Sequence, residues 1–250
     1  MSISVSIIGN DGIVLATDSR VTIRSLPVLT HHDTATKLWD LGGVVGLMTV
    51  NDNRGFSEWL VESYKKRQLT KENMEKQQLN DFEGIALNFS YFLNQMFTQY
   101  VKDTPQQFLK SQGYELGFTI AGYDSSGDPK IQYLSSYDSF TPNLVDNYHV
   151  AGIPGVGDYW MARLHKHLFG VEAGLKVYKM GLQGLKVLAT TIISETAQIN
   201  EHVGGNIQMA TINKDLGFLR IETVEVERIN KDVEELTDER KIVKYLESYN

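Results

Sequence analysis

The chain contains no cysteine, and this absence removes several kinds of chemistry at once. Disulfide bonds, thiolate zinc sites and a cysteine nucleophile are all excluded. A chain without thiols suits a reducing compartment, and we expect a cytoplasmic protein. Its 250 residues, of which 42% are hydrophobic, can bury a core that folds without covalent staples.

Proline, basic stripes and long apolar runs are also scarce. There are five prolines and no linker-like tract, so we expect one domain over residues 1–250, with a C-terminal tail from about residue 228. The net charge of −7 and the lack of a lysine- or arginine-rich stripe argue against a nucleic-acid partner. No run approaches the ~20 apolar residues that cross a bilayer, so no membrane partner is expected. The opening residues lack a basic n-region and a long apolar h-region, and we predict a first strand there rather than a signal peptide.

The sequence does contain tight hairpins. Its opening segment alternates isoleucine or valine with serine, which indicates a strand whose apolar and serine side chains point to opposite faces. Gly9-Asn10-Asp11-Gly12 supplies residues that tolerate positive φ, so it predicts a turn into a return strand over residues 13–18.

The rest of the chain continues this pattern of hairpins separated by pairs of helices. The predicted elements are a hairpin (37–41 and 44–50), helices near 56–64 and 82–100, a hairpin (116–123 and 131–136), helices near 158–169 and 182–201, and a last hairpin (207–212 and 218–226). This order predicts an α/β (α+β) fold, a four-layer αββα sandwich of two mainly antiparallel sheets with helices on the outer faces. A doubly wound parallel sheet is disfavoured because it needs a helix between successive strands.

The first hairpin also predicts a reactive site. Tight pairing places Asp18 opposite Ile3, so the start of the chain is held beside an acid. Removal of Met1 leaves Ser2 with a free α-amine next to its own hydroxyl. An α-amine titrates near ~7.7–8, so it can accept the hydroxyl proton and make the oxygen a nucleophile.

Two further groups complete the predicted chemistry. The ammonium of Lys37 lowers the pKa of the hydroxyl and of the amine, and Asp18 holds that ammonium in place. Backbone N–H groups near Met48 and Thr49 are candidate donors to an oxyanion.

These residues resemble a known family. SISVSIIGNDGIVLATDSRVT is similar to the start of mature proteasome β-subunits, and Thr36-Lys37-Leu38-Trp39-Asp40-Leu41 is similar to the lysine-bearing strand of that family. The resemblance implies an N-terminal-nucleophile hydrolase. Ser2 takes the place of the nucleophilic threonine, Asp18 that of the first aspartate, Lys37 that of the catalytic lysine and Arg20 that of the arginine that follows.

The same resemblance implies partners. Members of the family assemble into rings or helical stacks and cleave peptides or proteins. Whether this chain has an ATPase partner stays open.

No metal or cofactor is expected. The adjacent His31 and His32 point to opposite faces of a strand, and His165 and His167 do not share one helix face, so neither pair predicts a metal site.

The chain also departs from the family pattern. A serine replaces the threonine, Asn200 aligns with the second aspartate, Val203 aligns with that aspartate's partner serine, and the glycine of the oxyanion site falls near Met48. Three functions therefore stay open: a peptidase-like amide hydrolase, a non-catalytic structural subunit that self-assembles, and a small-molecule amidase.

Plainer interpretations of single residues stay open as well. Asp18 with Arg20 also fits a structural ion pair, and Lys37 by itself fits a solvated strand residue.

Overall fold

The computed structural model describes residues 2–25, 28–51, 54–68, 82–103, 116–153, 158, 161–162, 180–236, 241 and 244–246. The strands in these ranges are β1 (Ile3–Ile8), β2 (Ile13–Thr17), β3 (Val21–Ser25), β4 (Val28–His32), β5 (Leu38–Gly42), β6 (Val45–Asn51), β7 (Leu116–Tyr123), β8 (Pro129–Ser135), β9 (Asn143–Val145), β10 (Tyr148–Gly152), β11 (Gln208–Asn213) and β12 (Gly217–Arg220). The helices are α1 (Arg54–Gln68), α2 (Phe82–Asp103), α3 (Leu182–Ile199) and α4 (Thr223–Glu234), and a single 3-10 turn covers Ser136–Asp138.

Two antiparallel five-stranded sheets lie at the centre of the fold. The strand order is β10-β1-β2-β11-β12 in the first sheet and β5-β6-β7-β8-β9 in the second, and β3 pairs with β4 in a separate ribbon. The first sheet packs against α3 and α4 on its outer face, and the second packs against α1 and α2. A third apolar cluster fills the space between the sheets. The four-layer αββα sandwich is therefore confirmed.

The alternation along β1 explains how the first sheet joins two layers. Ile3, Val5 and Ile7 are fully buried and pack in the cluster that contains the α3 side chains. Ile8 at the strand's end packs in the cluster between the sheets. Each such side chain contributes roughly 1.5–3 kcal/mol when buried, so β1 is fixed from both faces.

Most predicted elements are confirmed within a few residues. These are the first hairpin, the hairpins of β5–β6 and β7–β8, the strand β11, and the helices α1, α2 and α3. Of the helix predicted over 158–169, residues 158, 161 and 162 are described and are helical, while the others lie outside the described residues.

The second strand of the last predicted hairpin is present but shorter than predicted. The strand predicted over 218–226 ends at Arg220, and a helix, α4, begins at Thr223. The buried side chains of α4 are Val226, Ile229 and Val233, which have helical spacing and pack in the cluster of α3. The segment after residue 228 therefore starts as part of a packed helix. The ribbon β3–β4 and the strands β9 and β10 were not predicted.

No helix within the described ranges is both long and apolar enough to span a membrane.

Candidate active site

The start of the chain lies between two neighbouring strands. β2 pairs with β1 in the predicted register, with Ser4 opposite Thr17, and on the other side Gly152 of β10 lies opposite Ile3. The Asp18 N–H donates to the Ile3 carbonyl at 3.4 Å, and the Thr17 hydroxyl donates to the same oxygen at 2.8 Å. Ser2, next to these contacts, is 2% exposed.

The Asp18 carboxylate is the centre of the site. Its Oδ1 accepts from the Ile3 N–H at 3.1 Å and from Lys37 Nζ at 2.8 Å. Its Oδ2 accepts from the N–H groups of Arg20 and Gly204 at 3.2 and 3.4 Å. Burial raises the pKa of the Asp18 carboxyl, and the Lys37 ammonium and the backbone donors oppose that rise. These donors fix the orientation of the buried carboxylate.

Lys37 is buried against the Asp18 carboxylate. It is 5% exposed, and its Nζ donates to Asp18 Oδ1 and, at 2.6 Å, to the Arg20 carbonyl. The ammonium and the Ile3 N–H share one carboxylate oxygen, so Nζ lies within about 6 Å of the Ile3 nitrogen. The interpretation of Lys37 as a solvated strand residue is therefore wrong.

The Arg20 side chain faces a different acid from the one expected. Its Nε and Nη2 bind Asp33 at 2.8 and 2.9 Å, and its Nη1 donates to the carbonyls of Glu201 and Val203. This guanidinium holds the pKa of Asp33 below its usual value. The interpretation of an Asp18–Arg20 ion pair is therefore wrong. Arg20 contributes to the site through its backbone, whose N–H binds Asp18 and whose carbonyl binds Lys37.

The predicted oxyanion donors are engaged elsewhere. The Thr49 N–H donates to the Lys37 carbonyl at 2.9 Å, so it is not available to a substrate. N–H groups alternate in direction along a strand, so the Met48 N–H points the other way, towards Thr119 in β7. This part of the prediction is corrected, because both groups belong to the hydrogen bonding of the second sheet.

Asn200 lies at the end of α3 and organises the loop that follows. Its Oδ1 accepts from the His202 N–H at 3.0 Å, and its carbonyl accepts from the Val203 N–H at 3.1 Å. This loop leads to Gly204, whose N–H reaches Asp18. The effect of Asn200 on the site is thus indirect.

Two residues that contribute to the site, Gly204 and Gln208, were not predicted from the sequence. Gly204, at φ +157, carries the amide that binds Asp18, and the pair of glycines at 204 and 205 was a signal for a special backbone there. Gln208 binds the backbone around Lys37, and nothing in the pattern of β11 indicated this contact.

The histidines pointed to no metal site in the sequence, and the described residues hold no group of three or more His, Asp or Glu side chains placed to bind one. His31 and His32 lie on β4, and His165 and His167 lie outside the described residues.

Another histidine, His149 on β10, contacts side chains of the second sheet. Its Nδ1 lies 3.4 Å from the Thr119 hydroxyl, its ring centroid lies 4.7 Å from that of Tyr133, and its carbonyl accepts from Ser6. Burial lowers the pKa of His149 from 6.5 to about 4, and Asp158 opposes this in part.

We expect His149 to make the fold sensitive to acid. Between pH 6.5 and about pH 4 the unfolded chain binds a proton at this position and the folded chain does not, so stability is full above pH 6.5 and falls on acidification. The loss is about 1–3 kcal/mol, which urea denaturation at pH 7 and pH 5 measures. Asp18, whose pKa is raised, acts in the opposite direction, so the informative quantity is the difference from His149→Gln, which should flatten the profile. His32→Gln, at an exposed strand position, is the matched control; an equal flattening there would contradict the assignment.

Two antiparallel sheets between helical layers, with a buried acid and a buried ammonium beside the first strand, are the features of a proteasome-like fold. Comparison with solved structures agrees with this class. The chain superimposes on Anbu (ancestral beta-subunit) from Yersinia bercovieri with a TM-score of 0.65 and 14% sequence identity, over 93% of each chain. No family model and no curated protein sequence matches it. At this identity the likeness establishes the fold alone.

Proposed function

We propose that this protein is an N-terminal-nucleophile hydrolase that cleaves amide or peptide bonds with Ser2 after removal of Met1. The observation that supports this most strongly is the Asp18 carboxylate. One of its oxygens binds both the Ile3 N–H and the Lys37 ammonium, so an acid and a cation lie one residue from the proposed nucleophile. A strand needs no buried ion pair at its first residue, and such pairs are costly to bury.

The chemistry follows from Ser2 itself. Excision of Met1 converts the Ser2 peptide nitrogen into an amine. That amine takes the hydroxyl proton as Oγ attacks the substrate carbonyl, and it then donates the proton to the leaving nitrogen. The products of this first half of the reaction are a released amine and an acyl ester on Ser2. Water, deprotonated by the same amine, hydrolyses the ester and restores the hydroxyl.

Lys37 and Asp18 act by charge in this scheme. The ammonium stabilises negative charge on Oγ and keeps the nearby amine unprotonated at neutral pH. Asp18 holds the ammonium and, through the Ile3 N–H, also holds the strand that carries Ser2. A peptide is the preferred substrate, and a small amide is the second choice; turnover of acyl-peptides against small amides distinguishes them.

A β-lactone probe tests the function directly. We expect intact-mass spectrometry to show loss of Met1 and one probe adduct, which peptide mapping locates at Ser2. Ser2→Ala should abolish the adduct, and an N-terminal extension that keeps the Ser2 nitrogen in a peptide bond should abolish it too.

Ser4→Ala is the matched control for this experiment. Ser4 lies on β1 two residues after Ser2, is fully buried, and its hydroxyl has no hydrogen-bond partner, so labelling should persist. An unlabelled wild-type protein that has lost Met1 and is folded would contradict the hydrolase proposal.

A non-catalytic, self-assembling subunit is the second candidate. It is favoured by the engaged Thr49 N–H and by the absence of a carboxylate at Asn200. Self-association is supported by α2, where three exposed side chains spaced four residues apart, Leu87, Tyr91 and Gln95, are uncharged. If Ser2 does not react while light scattering on the same sample gives the mass of an oligomer, this candidate replaces the hydrolase.

A further inference from the structure

The side chain of Gln208 joins the two sheets at the site. Gln208 lies on β11 of the first sheet, directly opposite Thr17, the residue before Asp18. Its Oε1 accepts from the N–H groups of Lys37 and Leu38 at 3.1 and 3.3 Å, where β5 of the second sheet begins. Its Nε2 donates to the carbonyl of Ala35.

These contacts fix the orientation of the amide group. Its oxygen faces two donors and its nitrogen faces one acceptor, so a flipped amide would set donors against donors. The contacts also span residues 35–38, a stretch that leads into β5 without regular strand pairing up to residue 37. Gln208 is therefore a clamp on the backbone that carries Lys37.

The clamp works together with contacts of the second sheet. Thr49 of β6 holds the Lys37 carbonyl, whereas the Lys37 N–H is held by Gln208 of the first sheet. Gln208 pairs with Thr17 of that first sheet, and Asp18 directly follows Thr17 at the end of β2. The backbone of Lys37 is thus positioned with respect to the sheet that carries its acid partner.

We propose that Gln208 is a positioning residue that sets the place of the Lys37 ammonium against Asp18 and Ser2. Lys37 Nζ donates to two fixed acceptors, Asp18 Oδ1 at 2.8 Å and the Arg20 carbonyl at 2.6 Å, so a shift of the Lys37 backbone moves the ammonium away from both. Misplacement of a reacting group by about 1 Å costs on the order of 100-fold in rate. The inference rests on the proposed function only where it concerns Ser2.

Gln208→Met removes the polar contacts and nearly preserves side-chain volume. Hydrogen exchange at the amides of Lys37 and Leu38 should accelerate by about 10-fold or more, whereas exchange at Thr119, in the middle of β7, should not change. Acetylation of Lys37 by an N-hydroxysuccinimide ester, followed by peptide mass spectrometry, should become faster because the ammonium leaves its buried contacts.

The β-lactone reaction gives the kinetic readout. The maximal rate of inactivation should fall about 10–100-fold, while the apparent affinity for the probe stays within about twofold, because the substrate contacts are not touched. Gln208→Glu keeps an acceptor for the two N–H groups and loses the donor to Ala35, so it should give an intermediate rate. Gln132→Met is the matched control, since Gln132 lies on β8 with a buried Oε1 that has no hydrogen-bond partner.

The outcomes distinguish a failure of the Gln208 proposal from a failure of the proposed hydrolase function. If the wild-type protein is not labelled but exchange and acetylation at Lys37 rise in Gln208→Met, the hydrolase fails and the clamp stands. Unchanged exchange at residues 37 and 38 overturns the clamp, and so does an equal acceleration throughout both sheets, which would reveal general destabilisation.

Discussion

Replacing Lys37 with methionine is expected to slow acylation of Ser2 by about 10²–10³-fold, the loss typical of removing one charge-stabilising group from a reactive centre. The ammonium is held at 2.8 Å from Asp18 and at 2.6 Å from the Arg20 carbonyl, so methionine fills the space and removes the charge. The measurement is the rate of β-lactone labelling followed by intact mass. The binding of the probe should be little changed.

The same replacement should also weaken the fold. It leaves the fully buried Asp18 without its cation, and breaking a buried pair costs about 3–5 kcal/mol. Three backbone donors remain on the carboxylate, and a buried carboxyl without its cation takes up a proton more readily. The stability deficit of Lys37→Met should therefore shrink as the pH falls from 7 towards 5.

A double variant separates charge from stability. Lys37→Met with Asp18→Asn removes both charges, so it should be more stable than either single variant and still be labelled about 10²–10³-fold more slowly than the wild type. Lys186→Met is the matched control, since Lys186 forms a 2.7 Å ion pair with Glu225 on the helical layer. If the double variant regains both stability and labelling, Lys37 serves the fold alone.

Local sequence patterns predicted the part of the site that is formed by residues close together in the sequence. The Gly9–Gly12 turn fixes the register of β1 and β2, and that register brings Asp18 to Ile3. The strand that begins after Lys37 was predicted for the same reason, because a glycine pair turns it into β6. Such hairpins join residues close in sequence, and their turn chemistry is visible in a single chain.

Contacts between distant segments were not predictable in this way. Gln208 meets Lys37 across 171 residues, and no periodicity along β11 distinguishes a glutamine that clamps a backbone from one that faces solvent. The β3–β4 ribbon was missed because the sequence between its strands, Leu26-Pro27, has no glycine, asparagine or aspartate to supply the positive φ of a two-residue hairpin turn.

The error at α4 has a similar cause. Thr223-Val224-Glu225-Val226 alternates like a strand over four residues, and the helical spacing of its buried side chains appears only beyond that point. A window of four residues thus predicted a strand, whereas the longer segment has the spacing of a helix.

Gly152→Ala is expected to abolish labelling of Ser2 by displacing the start of the chain. A Cβ at this position would lie 1.8 Å from the Ser2 carbonyl oxygen and 2.8 Å from the Ser2 carbonyl carbon, and backbone atoms cannot swing aside as a side chain does. Its φ of +111 is also a conformation that alanine rarely adopts. Strain and overpacking together should cost about 3 kcal/mol, and either β1 or β10 must move.

Gly43→Ala distinguishes the effect of the steric clash with Ser2 from the effect of backbone strain. Gly43 also has positive φ, at +58, but a Cβ there would meet no atom within 4 Å. Its replacement should therefore cost only about 1 kcal/mol and leave labelling intact. Thermal unfolding and β-lactone labelling of both variants measure the difference. Since a shift of about 1 Å in a reacting group costs on the order of 100-fold, a Gly152→Ala protein that is folded and labelled at the wild-type rate would show that the position of Ser2 does not control its chemistry.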